Sequence, residues 1–151
     1  MSDFVGAFAL LRRSERFLMV QNERVIDGRP QRVWDLPGGR VERGELLQEA
    51  LRRELVEETG LALASNPQFA FVQEGERVVA GARRYAWRSF FFTVEAAGAP
   101  RAASEVLDVR WMTRAQIEAE CTAPYHDSFR AWLRDGGSYF VSAWRDSDEF
   151  V

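Results

Sequence analysis

Apolar residues in this chain arrive in short runs separated by polar turns, and the spacing within each run assigns most of the elements. Residues 4–11 (FVGAFALL) are apolar without a break and stop at Arg12-Arg13-Ser14, which predicts a buried strand. Residues 16–21 (RFLMVQ) follow a short polar turn and read as its hairpin partner. Asp27-Gly28-Arg29-Pro30 has the composition of a loop. Residues 33–36 (VWDL) form a brief strand halted by Pro37-Gly38-Gly39. Further on, residues 69–74, 78–80 and 85–94 read as strands, the last of them rich in aromatics. Residues 96–103 are small and contain Gly98 and Pro100, so they predict a loop, and residues 109–112 a short strand.

Helical periodicity appears in three places. Residues 45–59 lack Gly and Pro, are rich in Leu, Ala, Arg and Glu, and meet Gly60 where a helix stop belongs. Thr113 caps a helix running to about residue 120, and Pro124 opens another to about residue 134, ended by Asp135-Gly136-Gly137. Residues 138–151 carry Tyr139, Phe140 and Trp144 and are assigned no element. Strands outnumber helices in a mixed order, so the expected class is α/β, a mixed sheet with helices packed on it. No repeat or linker divides the chain, and residues 1–151 are expected to form one domain.

Within residues 45–59 the periodicity changes character. On a helical wheel Leu46, Leu47, Ala50, Leu51 and Leu55 gather into one stripe, with Gln48, Glu49, Arg52 and Val56 largely opposite. Glu54, Glu57 and Glu58, at i, i+3 and i+4, continue the azimuth of the leucines. The helix therefore starts by turning apolar groups inward and ends by turning carboxylates the same way. Like charges at this spacing repel, partly buried carboxylates lose hydration, and acids near a helix C-terminus oppose its dipole. A solvated acidic helix end would avoid the apolar face instead. A divalent cation is the economical compensation, because Mg²⁺ takes oxygen ligands from a few carboxylates, waters and phosphate. The Gly38-Gly39 turn upstream has the shape to cup a metal–diphosphate complex.

Composition narrows the setting. The chain has 151 residues, 46% hydrophobic and 28% charged, and a net charge of −3, ordinary for a globular domain. That acidity excludes the basic stripe of a non-specific nucleic-acid binder, so no stable nucleic-acid partner is expected. All twenty basic residues are arginine. Cys121 is the single cysteine, so no internal disulfide can form, and it lacks the neighbours of a reactive thiol. Neither a basic-then-apolar N-terminus nor an apolar stretch of membrane length is visible, so no membrane association and a cytoplasmic location are expected.

The residues from Gly39 to Leu61 match the Nudix box, G-x5-E-x7-R-E-U-x-E-E-x-G-U with U a bulky aliphatic. Gly39, Glu45, Arg53, Glu54, Leu55, Glu57, Glu58, Gly60 and Leu61 fill its defined positions at the correct spacing. The chain thus resembles the Nudix hydrolase family. The resemblance implies the Nudix fold, a mixed sheet sandwiched between helices, with the box as a loop-helix-loop catalytic unit. It implies that Glu54, Glu57 and Glu58 ligate metal, with the Gly38 carbonyl as a further ligand. Arg53 then orients the catalytic helix, while Glu45 and Gly39 are structural members of the loop. Relatives often use a downstream glutamate before a strand carrying Trp. Glu105, six residues before Trp111, fits that place as a second metal ligand or as base.

The implied reaction is attack of water on a phosphorus of a nucleoside diphosphate joined to a group X, with Mg²⁺ as cofactor and Mn²⁺ able to substitute. Glu54 is the first choice of general base and Glu105 the second. The substrate is expected to be a (d)NTP or related nucleotide. The subfamily marks of coenzyme A, NADH, ADP-ribose and diadenosine polyphosphate hydrolases are absent; the ADP-ribose proline, for one, is missing from Gly75-Glu76-Arg77-Val78. ADP-ribose, a nucleotide sugar, a dinucleotide polyphosphate, or a non-catalytic nucleotide-sensing role are the alternatives. Trp34, Phe71, Tyr85, Trp87 and Tyr125 are candidates for base stacking, most of them expected in the core. Arg83, Arg84 and Arg88 could contact phosphate. His126, the sole histidine, is given no role, and the aromatic tail could serve a homodimer interface.

Overall fold

The strand on which the others are laid is the first, β1 (Phe4–Arg13). The computed structural model describes residues 2–146. β1 meets β2 (Arg16–Ile26) through a tight turn and pairs along most of its length, in parallel, with β6 (Ala82–Val94). With β3 (Arg29–Asp35), β4 (Gly38–Arg40), β5 (Gln68–Val79), β7 (Asp108–Met112) and β8 (Tyr139–Arg145), the sheet runs β3-β2-β1-β6-β5-β8. β4 adds to β1, and β7 to β2. The helices are α1 (Leu47–Thr59), α2 (Arg114–Glu120) and α3 (Asp127–Asp135), the last preceded by a 3₁₀ turn at Pro124–His126.

The period-2 alternation of β1 creates two cores, one on each face. Ala7, Ala9 and Leu11 point to α1, where they join Ala50, Leu51, Leu55, Phe92 and Val94. Leu10 points the other way with Phe8, into a core with Phe71, Phe91, Ile117, Phe129 and Leu133. The mixed sheet therefore lies between α1 and the α2–α3 pair, as the resemblance implies. Leu51 and Leu55 are almost fully buried, each contributing on the order of 1.5–3 kcal/mol. Thr113 caps α2 as expected, its side chain accepting from the Gln116 amide while the Gln116 side chain accepts from the Thr113 amide.

Several expectations change. Leu46 is the N-cap of α1, not part of its inner stripe, and is 71% exposed. The loop expected at Asp27-Gly28-Arg29-Pro30 shrinks to Asp27-Gly28, whose positive φ values of 53° and 72° suit a two-residue hairpin turn. Pro30 is a strand residue, tolerated because β3 is an edge strand. β5 runs unbroken through Gly75 and turns into β6 at Ala80-Gly81, with register shifts at Phe69/Phe71 and Arg77/Val78. The unassigned tail supplies β8, parallel to β5, and its remainder (147–151) lies outside the described residues. No helix among the described residues is long and apolar enough to cross a membrane.

Candidate active site

The Gly38-Gly39 turn is held on β1 by the pairs Phe8↔Gly38 and Ala7↔Gly39. Gly38 has φ 144°, and a Cβ there would stand 2.2 Å from the Ala7 carbonyl oxygen, so only glycine fits. Across from the turn, the inner face of α1 carries Ala50, Leu51 and Leu55 into the core and then presents Glu54 and Glu58. Each carboxylate meets one glycine. Glu54 closes on Gly39, where an added Cβ would lie 2.8 Å from Oε1. Glu58 accepts the Gly38 N–H at 2.8 Å. Glu57 sits on the outer side, its side chain 51% exposed against 18% for Glu54. The wheel thus places Glu54 and Glu58 correctly and sets Glu57 too far inward.

Arg53 organises the acids. It grips Glu45 with two near-parallel hydrogen bonds, Nε to Oε2 at 2.8 Å and Nη2 to Oε1 at 2.9 Å. Its Nη1 reaches Glu54 Oε1 at 3.0 Å and Glu57 Oε2 at 3.3 Å, and Nη2 also donates to the Arg40 carbonyl at 3.2 Å. The bond from Arg53, with one from the Glu42 amide, pulls the Glu45 carboxyl down to about 2. The Arg53 guanidinium is raised in turn, chiefly by Glu45. One arginine therefore ties the loop to the helix and neutralises part of the acidic cluster.

Glu58 is the acid that Arg53 does not reach. Burial pushes its carboxyl up to about 8, with the charges of Glu54 and Asp35 adding to this and the Gly38 N–H opposing it. Among the described residues no three acidic, histidine or cysteine side chains already converge as a metal cage. The chemistry of the donors nevertheless fits a hard divalent cation. Two carboxylates meet consecutive residues of one turn, and among the described residues Glu58 has the Gly38 N–H for a partner and no cationic side chain hydrogen-bonded to it. Glu54 and Glu58, with Glu57 able to swing in from solvent, could hold such an ion.

Glu105 is exposed, on a loop docked against the end of α1. The Arg101 amide donates to the Thr59 carbonyl at 3.0 Å and the Ala103 amide to the Glu58 carbonyl at 3.1 Å, while the Leu107 amide reaches Gln21 O at 2.8 Å. These bonds bring the segment holding Glu105 beside the acidic helix end. Trp34, Phe71 and Trp87 are core residues, and Tyr85 and Tyr125 are half-buried. Arg83 and Arg88 are paired with Glu76 and Glu74. Burial drives the Cys121 thiol up to about 12, which makes it inert.

One cluster next to the site is not predicted by the sequence. Asp35, 5% exposed in its side chain, accepts from Asn22 Nδ2 (2.9 Å), Arg24 Nε (3.2 Å), Tyr125 Oη (2.8 Å) and His126 Nε2 (2.7 Å). Burial would raise its carboxyl, but the bond from His126, the Arg24 charge and the bond from Asn22 outweigh this and hold it below the usual range. Ionised, it can only accept, so His126 Nε2 carries the shared proton. The available signal was a lone acid in an apolar strand together with a lone histidine; nothing in the sequence joins two residues 91 positions apart.

A family model described as the NUDIX domain matches residues 3–133. A Bacillus subtilis (strain 168) protein named as a proposed 8-oxo-dGTP diphosphatase is 41% identical over 69 residues, 45% of this chain and 42% of that protein. A Danio rerio protein named oxidized purine nucleoside triphosphate hydrolase is 39% identical over 69 residues, 39% of this chain and 44% of that one. The matched region thus spans less than half the length of either relative. Among solved structures, a MutT protein from Bacillus halodurans superimposes with a TM-score of 0.75 at 19% identity, covering 96% of this chain and 92% of that one, which is a likeness of fold.

Proposed function

The chain belongs to the Nudix family, and from that premise we propose that it hydrolyses the diphosphate linkage of a nucleoside triphosphate, with Glu54, Glu57 and Glu58 holding Mg²⁺. The observation that carries this reading is the meeting of Glu54 and Glu58 with Gly39 and Gly38, two carboxylates brought onto one glycine turn. An acidic helix end with a purely solvating role would not be folded inward at this cost. The purine nucleoside triphosphates in the names of the two relatives support this substrate class.

The bound ion would neutralise phosphate charge and lower the pKa of coordinated water. Arg53 keeps Glu54 oriented while leaving one of its oxygens unengaged by the guanidinium. Glu54 is therefore the group best placed to take the proton from the attacking water, with Glu105, on the loop docked to α1, as the second choice. The Gly38 backbone borders the ion site, its carbonyl available as a further ligand. Between the buried side of α1 and the glycine turn, the two inner carboxylates are only partly open to solvent.

Hydrolysis of a substrate panel (the four dNTPs, oxidised purine nucleotides, ADP-ribose, a nucleotide sugar and a diadenosine polyphosphate) with Mg²⁺ and with Mn²⁺ tests the reading. Release of nucleoside monophosphate and pyrophosphate from triphosphates is expected, with ¹⁸O-water locating the attacked phosphorus. Preferential cleavage of ADP-ribose or a dinucleotide polyphosphate would replace the substrate. Nucleotide binding without turnover would replace the enzyme by a sensor.

A further inference from the structure

Asp35 ends β3 and stands just ahead of the glycine turn. Every residue from it to Gly38, whose N–H reaches the acidic helix, is constrained. Leu36 is 2% exposed in the core, and Pro37 has its φ set by its ring while its carbonyl accepts the Ala9 amide at 2.8 Å. Next comes Gly38, at a φ that only glycine takes readily, donating to Glu58 at 2.8 Å. An unbroken covalent and hydrogen-bonded path therefore joins the Asp35 carboxylate to the Glu58 carboxylate.

The other end of that path is held by Tyr125 and His126, in the 3₁₀ turn that opens α3 on the opposite face of the sheet from α1. The same turn is tied to the sheet a second time, because Gln73 Nε2 donates to the Tyr125 carbonyl at 3.0 Å and to Ser128 Oγ at 2.8 Å. Ile26, Val33 and Ala123 form an apolar cluster against Tyr125. Apolar packing alone could have joined turn and sheet here, and a buried carboxylate with four donors is no cheaper. Directional bonds supply something apolar packing does not: one position for the strand end.

We propose that Tyr125 and His126 are positioning residues for the metal-binding turn. By clamping Asp35 from across the sheet they set where the Gly38 backbone stands, and through its N–H the Glu58 carboxylate. The inference rests on the reading of Glu54 and Glu58 as metal ligands. It assigns neither tyrosine nor histidine any contact with substrate.

The test compares Tyr125→Phe and His126→Phe, which each remove one donor to Asp35, with His126→Gln, which keeps a donor near Nε2. The probe is Mn²⁺ alone, titrated calorimetrically into the nucleotide-free full chain, beside steady-state kinetics and thermal melts. Loss of one such outlying hydrogen bond is expected to weaken Mn²⁺ binding about tenfold and to lower kcat. KM should stay within about twofold, and His126→Gln should recover most of the loss. Unchanged Mn²⁺ affinity with a raised KM would mean that the cluster faces substrate, and the proposal would fall. A lowered Tm with unchanged Mn²⁺ affinity would make the cluster structural only and would also overturn it. If the unaltered protein binds no Mn²⁺, the metal reading itself fails and takes this inference with it.

Discussion

Arg53 and Glu45 form a two-pronged ion pair, 2.8 and 2.9 Å, that fastens the loop before α1 to the middle of the helix. Both partners are only partly exposed, and the same guanidinium reaches Glu54 and Glu57. A lysine could replace the charge but not the fork. Arg53→Lys should therefore fold normally yet lose about tenfold or more in kcat, because the orientation of Glu54 depends on the second and third N–H groups. Steady-state kinetics at saturating Mg²⁺ check this; a wild-type kcat would show that charge alone suffices.

The same pair gives an acid-side signature. In the folded protein the Glu45 carboxyl is held near 2, against an ordinary value of 4.5, so folding favours the ionised form. The stabilisation is fully present above the unfolded value and is lost as pH falls from about 4.5 towards 2. Urea midpoints measured across this window should fall less steeply with acidification in Glu45→Gln than in the parent protein. Identical slopes would mean that the pair contributes nothing to acid stability.

Gly38 and Gly39 separate fold from chemistry. A Cβ on Gly38 would meet the Ala7 carbonyl at 2.2 Å, at a φ of 144°, and backbone cannot step aside. Gly38→Ala should lose on the order of 1–3 kcal/mol or more of stability. On Gly39 the obstacle is the tip of Glu54, which can swing away. Gly39→Ala should melt near the parental temperature while turnover collapses, and the reverse ranking would show that the two glycines have been assigned the wrong roles.

Glu58→Gln keeps the size of the side chain and an acceptor for the Gly38 N–H, but cannot carry the charge a divalent ion needs. Turnover should drop at least about a hundredfold with far-UV circular dichroism unchanged, since a metal ligand should cost no less than its outlying partners do. A near-normal rate at saturating Mg²⁺ would remove Glu58 from the metal set.

Gly75 of β5 lies beneath the Trp87 ring, where a Cβ would come within 2.1 Å of two ring atoms. Trp87 in turn donates to Gln73 Oε1 at 2.9 Å in the buried sheet interior. Gly75→Ala should destabilise by about 1–3 kcal/mol through overpacking, read as a lowered Tm; an unchanged Tm would show that the Trp87 ring can move aside.

Local signals made most of this legible. The glycine turn, the amphipathic run, the inward acids and the Thr113 cap are each encoded within a turn or two of chain. What escaped was encoded at a distance. β8 reads as an aromatic tail because its partner in the sheet, β5, lies some seventy residues earlier (Tyr139↔Val72), and nothing in its own pattern sets that register. Pro30 reads as a loop residue because only the sheet order reveals that β3 is an edge. Leu46 belongs to the leucine stripe by angle, but as the N-cap it has an extended backbone, φ −81° and ψ 159°, that turns it out. Asp35 and His126 are uninformative apart and become a clamp only once the 3₁₀ turn folds over the end of β3.

The parallel pairing of β1 with β6 has a consequence for synthesis. As the chain leaves the ribosome, residues 4–60 can bring β1, β2, β3, β4 and α1 together, which assembles the glycine turn and its acids early. One edge of β1 stays open until β6 has emerged, because Leu11 pairs with Val94. The α2–α3 face and β8 come later still. During that interval Ala7, Ala9 and Leu11 already have a roof in α1, while Leu10 on the other face has none. The nascent chain therefore exposes a strand edge for the time needed to make roughly thirty-five more residues, a few seconds at the usual pace of translation, and half a core for longer, until α2 and α3 have emerged; this is the window in which a chaperone or an aggregating neighbour would find it.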